Sequence, residues 1–380
     1  MTNLPFDFDQ IINRRDSAST KWQKFSEDVL PFWVADMDFA APDFILDSLR
    51  ERLAHPILGY TDRPATLMDA FLGWLQRHFD WQVPPSQVVF VPGVVPALNL
   101  ATQTLQPGDH IIIPTPVYHP FLELADNARV SQTLVPMHAA DNWQIDIAAM
   151  QAAVQPNTRM VLICNPQNPT GRCYSHAELA QLADFIERNK LVLVSDEIHA
   201  NFVLDPDATH IPIARAFPDL ASRTISLYAA TKIYNIPGLS CAAAVIPDTV
   251  LRERFLTARK GLVPGIGPLG FVASEIAFND RSTWITELQA YLRTNLNLVA
   301  DCVGQRLSPL QATYLAWINV ADLQLADTER YFADAGIGIS PGAQFGQPDH
   351  IRFNFGCPRQ TLETGLQRLS AALEDAAKIG

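Results

Sequence analysis

The stretch Ser226-Leu227-Tyr228-Ala229-Ala230-Thr231-Lys232-Ile233-Tyr234-Asn235-Ile236-Pro237-Gly238 is the segment around which the chain is organised. It continues a β-rich run that begins at Thr224, stops in small residues, presents one lysine, and turns through Asn235, Pro237 and Gly238. This spacing predicts an amine at the end of a buried strand. A lysine so placed is either an ordinary charge facing water or an amine held for covalent chemistry with a carbonyl. Its partners upstream must decide.

Upstream, several apolar runs end in residues able to do chemistry. Leu191 to Ser195 reads as a strand running straight into Asp196-Glu197-Ile198-His199, and a buried aspartate is costly unless it meets a cation. Thr158 to Cys164 is a strand ending in Asn165-Pro166-Gln167-Asn168-Pro169-Thr170-Gly171, which holds more turn formers than a simple connection needs. His110 to Ile113 leads to Tyr118 and His119, with Tyr118 at the carboxyl edge where open sheets bind ligands. Val88 to Val91 precedes Gly93-Val94-Val95 and a helix running to about Leu105, an anion site in principle because free N–H groups and the helix dipole meet there. Cys241 to Ile246 gives a further strand, and Ser175 with Glu178 forms a capping box for a helix to Asn189. The alternation specifies an α/β domain with a largely parallel sheet. Gly265 to Gly270 matches a dinucleotide fingerprint only formally, since no strand precedes it and Pro268 interrupts it.

Outside this region the chain is ordinary. Its 380 residues are 48% hydrophobic and 18% charged, enough for a large core, and the net charge of −12 argues against nucleic acid or an anionic membrane as partner. No leader pattern opens the sequence and no apolar run is long enough to span a bilayer, so a cytoplasmic protein is expected. Five scattered cysteines without a Cys-x-x-Cys pair argue against a disulfide framework or a structural zinc site. Residues 1–30 are polar, with Arg14, Arg15, Lys21 and Trp22 conspicuous, and Asp36 and Asp38 read as cap or loop acids. A long helical stretch from Phe271 to Leu307, strands over Ala312 to Ile318 and His350 to Gly356, a helix from Ala326 to Ala335 and another from Gln360 to Ala377 suggest a smaller α+β domain. Arg352 is there either a solvated edge charge or a carboxylate clamp. The expected division is a large domain over 45–272 and a discontinuous small domain over 1–44 and 273–380.

Asn165-Pro166-Gln167-Asn168-Pro169-Thr170-Gly171, Asp196-Glu197-Ile198-His199 and Thr231-Lys232, in this order and spacing, resemble the fold type I pyridoxal-phosphate enzymes, the aspartate aminotransferase superfamily. Trp33 to Asp38, Gly59-Tyr60, Gly93 to Ala97, Asp196 to His199 and Arg352 to Pro358 look most like its MalY/PatB branch of cystathionine β-lyases and related carbon-sulfur lyases. The resemblance implies a mainly parallel seven-stranded sheet flanked by helices. It implies that Lys232 holds pyridoxal 5'-phosphate as a Schiff base and then acts as the α-proton base, while Asp196 pairs with the pyridine nitrogen. Asn168 and His199 would contact the ring hydroxyl oxygen, and Tyr118 would stack on the ring. Gly93, Val94, Val95 and Thr231 would hold the phosphate, with Tyr60 reaching in from a second subunit of a homodimer as a further catalytic and cofactor-binding residue. Arg352, helped by Asn168 and by backbone near Ala35 and Asp36, would clamp the carboxylate of a sulfur-containing amino acid. Two phosphate-binding positions of the superfamily differ here, being Ala229 and Ser240 in place of serine and arginine.

The expected reaction is α,β-elimination of L-cystathionine, cysteine or S-substituted cysteines to thiol, pyruvate and ammonia. An aminotransferase shares the first proton abstraction and is the alternative. A non-catalytic regulatory module binding the same cofactor is the third reading, disfavoured because nothing before Pro31 offers a basic DNA-binding segment.

Overall fold

The computed structural model describes residues 6–379, so the outermost ends of the expected small domain, 1–5 and 380, lie outside the described residues. Its strands, in chain order, are β1 Leu30–Pro31, β2 Val88–Val91, β3 His110–Thr115, β4 Ser131–Pro136, β5 Thr158–Cys164 and β6 Val192–Asp196. They continue with β7 Thr224–Tyr228, β8 Ala242–Val245, β9 Leu315–Asn319, β10 Ile337–Gly338, β11 Ser340–Pro341 and β12 His350–Asn354. Seven of these form the main sheet in the order β2-β8-β7-β6-β5-β3-β4. Only β8 runs against the others.

The direction of β8 follows from its connection. Between Tyr228 and Ala242 the chain makes turns and a short 3-10 segment but no crossover helix, so it returns beside β7 antiparallel. The start of β8 therefore lies at the same sheet edge as the carboxyl ends of β3, β5, β6 and β7. That edge is where open α/β sheets bind ligands.

Residues of β3, β5, β6 and β7 are nearly all buried, as expected for central strands covered on both faces. Helix Val94–Thr102 crosses one face against β6, β7 and β8. Helix Ala65–Phe79 packs against helix Pro268–Asn279, and its Phe71 and Trp74 meet Tyr228 and Phe278 in an aromatic cluster. Each such ring, fully buried, contributes roughly 1.5–3 kcal/mol.

The carboxyl-terminal part carries a three-stranded antiparallel sheet, β11-β12-β9, in which Arg352 lies opposite Trp317 on β9 and Ser340 on β11. β1 pairs in parallel with β10, and Phe32 stacks on Phe353 with ring centroids 4.4 Å apart, so residues 30–32 are tied to this sheet. Several boundaries differ from expectation. The stretch 271–307 is two helices, Pro268–Asn279 and Trp284–Val303, separated where Asp280 and Ser282 accept from the Ser282 and Trp284 amides. The helix expected from Ala326 starts at Thr328 because Asp327 caps it. β9 begins only after Thr313, whose φ of 74° breaks the extended run. β4 is an edge strand, half of whose residues are polar and half exposed, so it carries no buried-strand pattern. Among the described residues no helix is long and apolar enough to cross a membrane.

Candidate active site

Most of the sequence-selected residues meet at this sheet edge. A cavity of about 200 Å³ is walled by Gly93, Val94 and Val95 after β2, Tyr118 after β3, Asn168 after β5, Asp196 and His199 at the end of β6, and Thr231 and Lys232 after β7. Ala35, Cys164, Ser240 and Cys241 complete much of the lining.

Lys232 sits in the turn that carries the chain from β7 towards β8, partly accessible from the cavity yet closely ringed by protein. Its Nζ donates to the Ala35 carbonyl at 2.6 Å. Burial lowers its pKa to about 8; Asp36 and Asp196 oppose the shift, and Arg352 adds to it. Asp196 is buried at the end of β6, where Oδ1 accepts from the Ile198 amide at 3.1 Å. Burial pushes its carboxyl up to about 7, further raised by the neighbouring Glu197 and only partly offset by Lys232. This is a carboxylate short of a cation. His199, also buried, is pushed down to about 3 by burial and by the charges of Lys232 and Arg352, and its Nδ1 has no partner. It is a neutral imidazole.

Gly93 has φ 136° and directly precedes helix Val94–Thr102, a conformation that a side chain would strain. The first amides of that helix have no intrahelical acceptors, so they and the dipole favour an anion at this corner of the cavity.

Arg352 is not a solvated edge charge. It is buried behind the cavity wall, with Nη1 donating to Asn168 Oδ1 at 2.9 Å and Nη2 to the Trp33 carbonyl at 2.7 Å. Its guanidinium lies over the Phe345 ring at 4.6 Å, its Nε has no partner, and burial lowers its pKa to about 10. Asp36 is outside the cavity wall and pairs with Arg14 at 2.9 Å. Tyr60 is fully exposed and takes no part in this chain's own cavity.

Asp36 and Asp38 are more than caps. Asp38 accepts from Lys21 Nζ at 2.7 Å, Arg14 Nη1 at 2.6 Å and Trp22 Nε1 at 2.8 Å. Burial alone would raise its pKa, but Lys21, Trp22 and Arg14 hold it below the usual range. Residues missed in the sequence fix the same segment from the other side. Asn235 bonds Met37 at both N–H and carbonyl and also the Phe39 carbonyl, while Asn354 donates to the Val34 and Asp36 carbonyls. Tyr314 donates to the Ala35 carbonyl at 2.9 Å. The period of two in Arg352-Phe353-Asn354 could have marked Asn354, since both polar side chains face one way.

Residues 27–369 match the family model described as aminotransferase class I and II. The chain belongs to this family. Within it, the chain is 34% identical to the cystathionine beta-lyase PatB of Bacillus subtilis (strain 168), covering 97% of this chain and 100% of that one. The crystal structure of OvoB superposes with a TM-score of 0.93 at 37% identity, covering 97% of this chain and 99% of that one. Cystalysin from Treponema denticola, whose structure contains pyridoxal 5'-phosphate, superposes with a TM-score of 0.93 at 28% identity over 98% of this chain and all of that one. Family members of this kind thus share the whole fold of the present chain, including the carboxyl-terminal sheet that carries Arg352.

Proposed function

We propose that this protein is a pyridoxal-phosphate-dependent carbon-sulfur β-lyase that eliminates the thiol from L-cystathionine or related S-substituted cysteines. The observation that carries the reading is the convergence of Lys232, Asp196 and the Arg352–Asn168 pair on one cavity. The cavity fits the cofactor chemically. Asp196 lacks a cation, which a protonated pyridine nitrogen supplies; His199 Nδ1 and Arg352 Nε are buried without partners; and Gly93 opens a helix start suited to phosphate.

When bound, the cofactor supplies a protonated aromatic ring that accepts the electron pair left at the substrate α-carbon. Lys232 would be the attachment point and, once released, the base whose Nζ takes the α-proton; a pKa lowered to about 8 keeps roughly a tenth of the amine neutral at pH 7, far more than an ordinary lysine has. Asp196 would hold the ring nitrogen, Asn168 and His199 the ring hydroxyl, and Tyr118 would pack against the ring. Gly93, Val94, Val95 and Thr231 would hold the phosphate. Arg352 orients the substrate carboxylate, with backbone near Ala35 and Asp36 beside it, so that the α-hydrogen faces Lys232. With the thiolate gone from the β-carbon, the three-carbon product hydrolyses to pyruvate and ammonia.

The similarity to PatB favours elimination within the family. The family's own description supports the second reading, an aminotransferase, which shares the first proton abstraction by Lys232. Purified protein given L-cystathionine without a keto acid separates the two. Catalytic pyruvate with equal free thiol is the expected outcome; amino-acid consumption only when keto acid is added contradicts the lyase.

Full exposure of Tyr60, with Ile57, Leu58 and Leu262 also exposed, supports a homodimer in which Tyr60 completes the partner's cavity. Free cysteines support a cytoplasmic setting. We also read 45–272 as the cofactor domain and 1–44 with 273–380 as the smaller one, a division supported by the separate sheet of β9, β11 and β12.

A further inference from the structure

The Ala35 carbonyl is an acceptor shared by two donors of different kinds. Lys232 Nζ reaches it at 2.6 Å and the Tyr314 hydroxyl at 2.9 Å. The carbonyl itself cannot follow either donor, because Asn354 grips the flanking Val34 and Asp36 carbonyls at 2.6 and 2.7 Å. Tyr314 is fully buried, its ring held against Phe202 at 4.9 Å and His199 at 6.2 Å. Burial pushes its phenol far above the usual range, so it stays protonated and donates at every working pH.

The two donors differ in what they must do. Lys232 has to leave the Ala35 oxygen whenever its nitrogen is engaged elsewhere, whereas the Tyr314 hydroxyl stays bonded to it. A buried carbonyl abandoned by its only donor costs on the order of a whole desolvation penalty. With Tyr314 in place the oxygen is never abandoned.

We propose that Tyr314 is a positioning residue for Lys232: by sharing the fixed Ala35 carbonyl, its hydroxyl weakens the hold on the parked amine and keeps the oxygen satisfied when the amine departs. The proposal rests on Lys232 being the cofactor attachment point. Its consequence has one sign in both states. Without the hydroxyl, the carbonyl becomes a stronger acceptor for the ammonium, and departure of the amine leaves a buried oxygen unpaired. Both favour the parked, protonated lysine. The other charges facing the amine, Asp36, Asp196 and Arg352, are unaltered by removing the phenol oxygen.

The test uses Tyr314→Phe, which retains the ring, and Phe202→Leu as a packing control next to it. In cofactor-free protein, the pH dependence of reductive methylation of Lys232, read by peptide mass, reports the amine directly. The expected result is an upward pKa shift of about half a unit to one unit for Tyr314→Phe, and none for Phe202→Leu. Titration with pyridoxal 5'-phosphate, followed by absorbance, should show affinity weakened roughly threefold to tenfold in Tyr314→Phe alone. Should Tyr314→Phe not fold, a fluorotyrosine at this position, a stronger donor, must move the Lys232 pKa downward. An unchanged or lowered pKa in Tyr314→Phe, an equal shift in Phe202→Leu, or no response to fluorination overturns the proposal. Failure of Lys232→Ala to abolish covalent cofactor attachment would instead remove the reading of Lys232 on which it rests.

Discussion

Asp196 and Lys232 bear opposite electrostatic strains in the cofactor-free protein. Asp196 is raised from 3.8 to about 7, so the folded chain holds its proton longer than the unfolded chain does. Stability is therefore lost as pH rises across that window. Lys232 is lowered from 10.5 to about 8, so its penalty is present below about 8 and fades as pH rises towards 10.5. Replacing Asp196 with Asn should stabilise the cofactor-free protein above pH 7 by up to about 4 kcal/mol and have little effect below the ordinary carboxylate range. The same substitution should weaken pyridoxal-phosphate binding roughly tenfold to a hundredfold, since the charge-assisted bond to the ring nitrogen is lost. Urea titrations across pH, with and without cofactor, measure both effects. A variant destabilised at every pH would contradict the assignment of Asp196 as an acid awaiting a cation. Asp196 and Lys232 were legible in the sequence because each follows a buried strand with a charge that a plain core would avoid, and Asn168 through the turn-rich 165–171 segment and the resemblance that segment carries. Tyr314 was not, because its function is directed at a carbonyl 279 residues away and a tyrosine among apolar residues reads as core.

Among the elements, the amino-terminal segment matters more than its irregular sequence suggests. Lys21, fully buried, and Arg14 bind Asp36 and Asp38, which fixes residues 34–38 against the cavity and sets the Ala35 carbonyl beside Lys232. Lys21→Met should cost about 3–5 kcal/mol in thermal or urea unfolding, because Asp38 would lose its closest buried cation. Adding Asp38→Leu should recover part of that loss, and a double variant worse than the sum of the singles would contradict the pairing. The central strands were readable from their β-branched runs, and the helix Ser175 caps from its Glu178. The edge strand β4 was hidden by its polarity, and the break at 280–283 by apolar residues that continue on both sides of it. Asp36 and Asp38 read as loop acids because their cations lie in a segment with no periodicity to place it.

At the scale of the whole molecule, Tyr60 is fully exposed on its own chain and takes no part in that chain's cavity. A second copy supplying Tyr60 predicts complementation. Lys232→Ala and Tyr60→Ala proteins, each nearly inactive, should regain about one quarter of wild-type activity when unfolded together and refolded, because hybrid dimers contain one site with both residues intact. No regain in mixtures shown to form hybrids would place Tyr60 outside the partner's site. The parallel α/β class was legible from strand and helix alternation, whereas the proposed dimer rests on a loop, 55–64, whose turn formers say nothing about what covers it.

The most direct test of the central claim is chemical capture at Lys232. Borohydride reduction of the pyridoxal-phosphate-loaded protein, followed by digestion and peptide mass measurement, should place a single phosphopyridoxyl group on the peptide containing Lys232 and none elsewhere. A label on another lysine, or no label on a protein that carries the cofactor's absorbance, would contradict it.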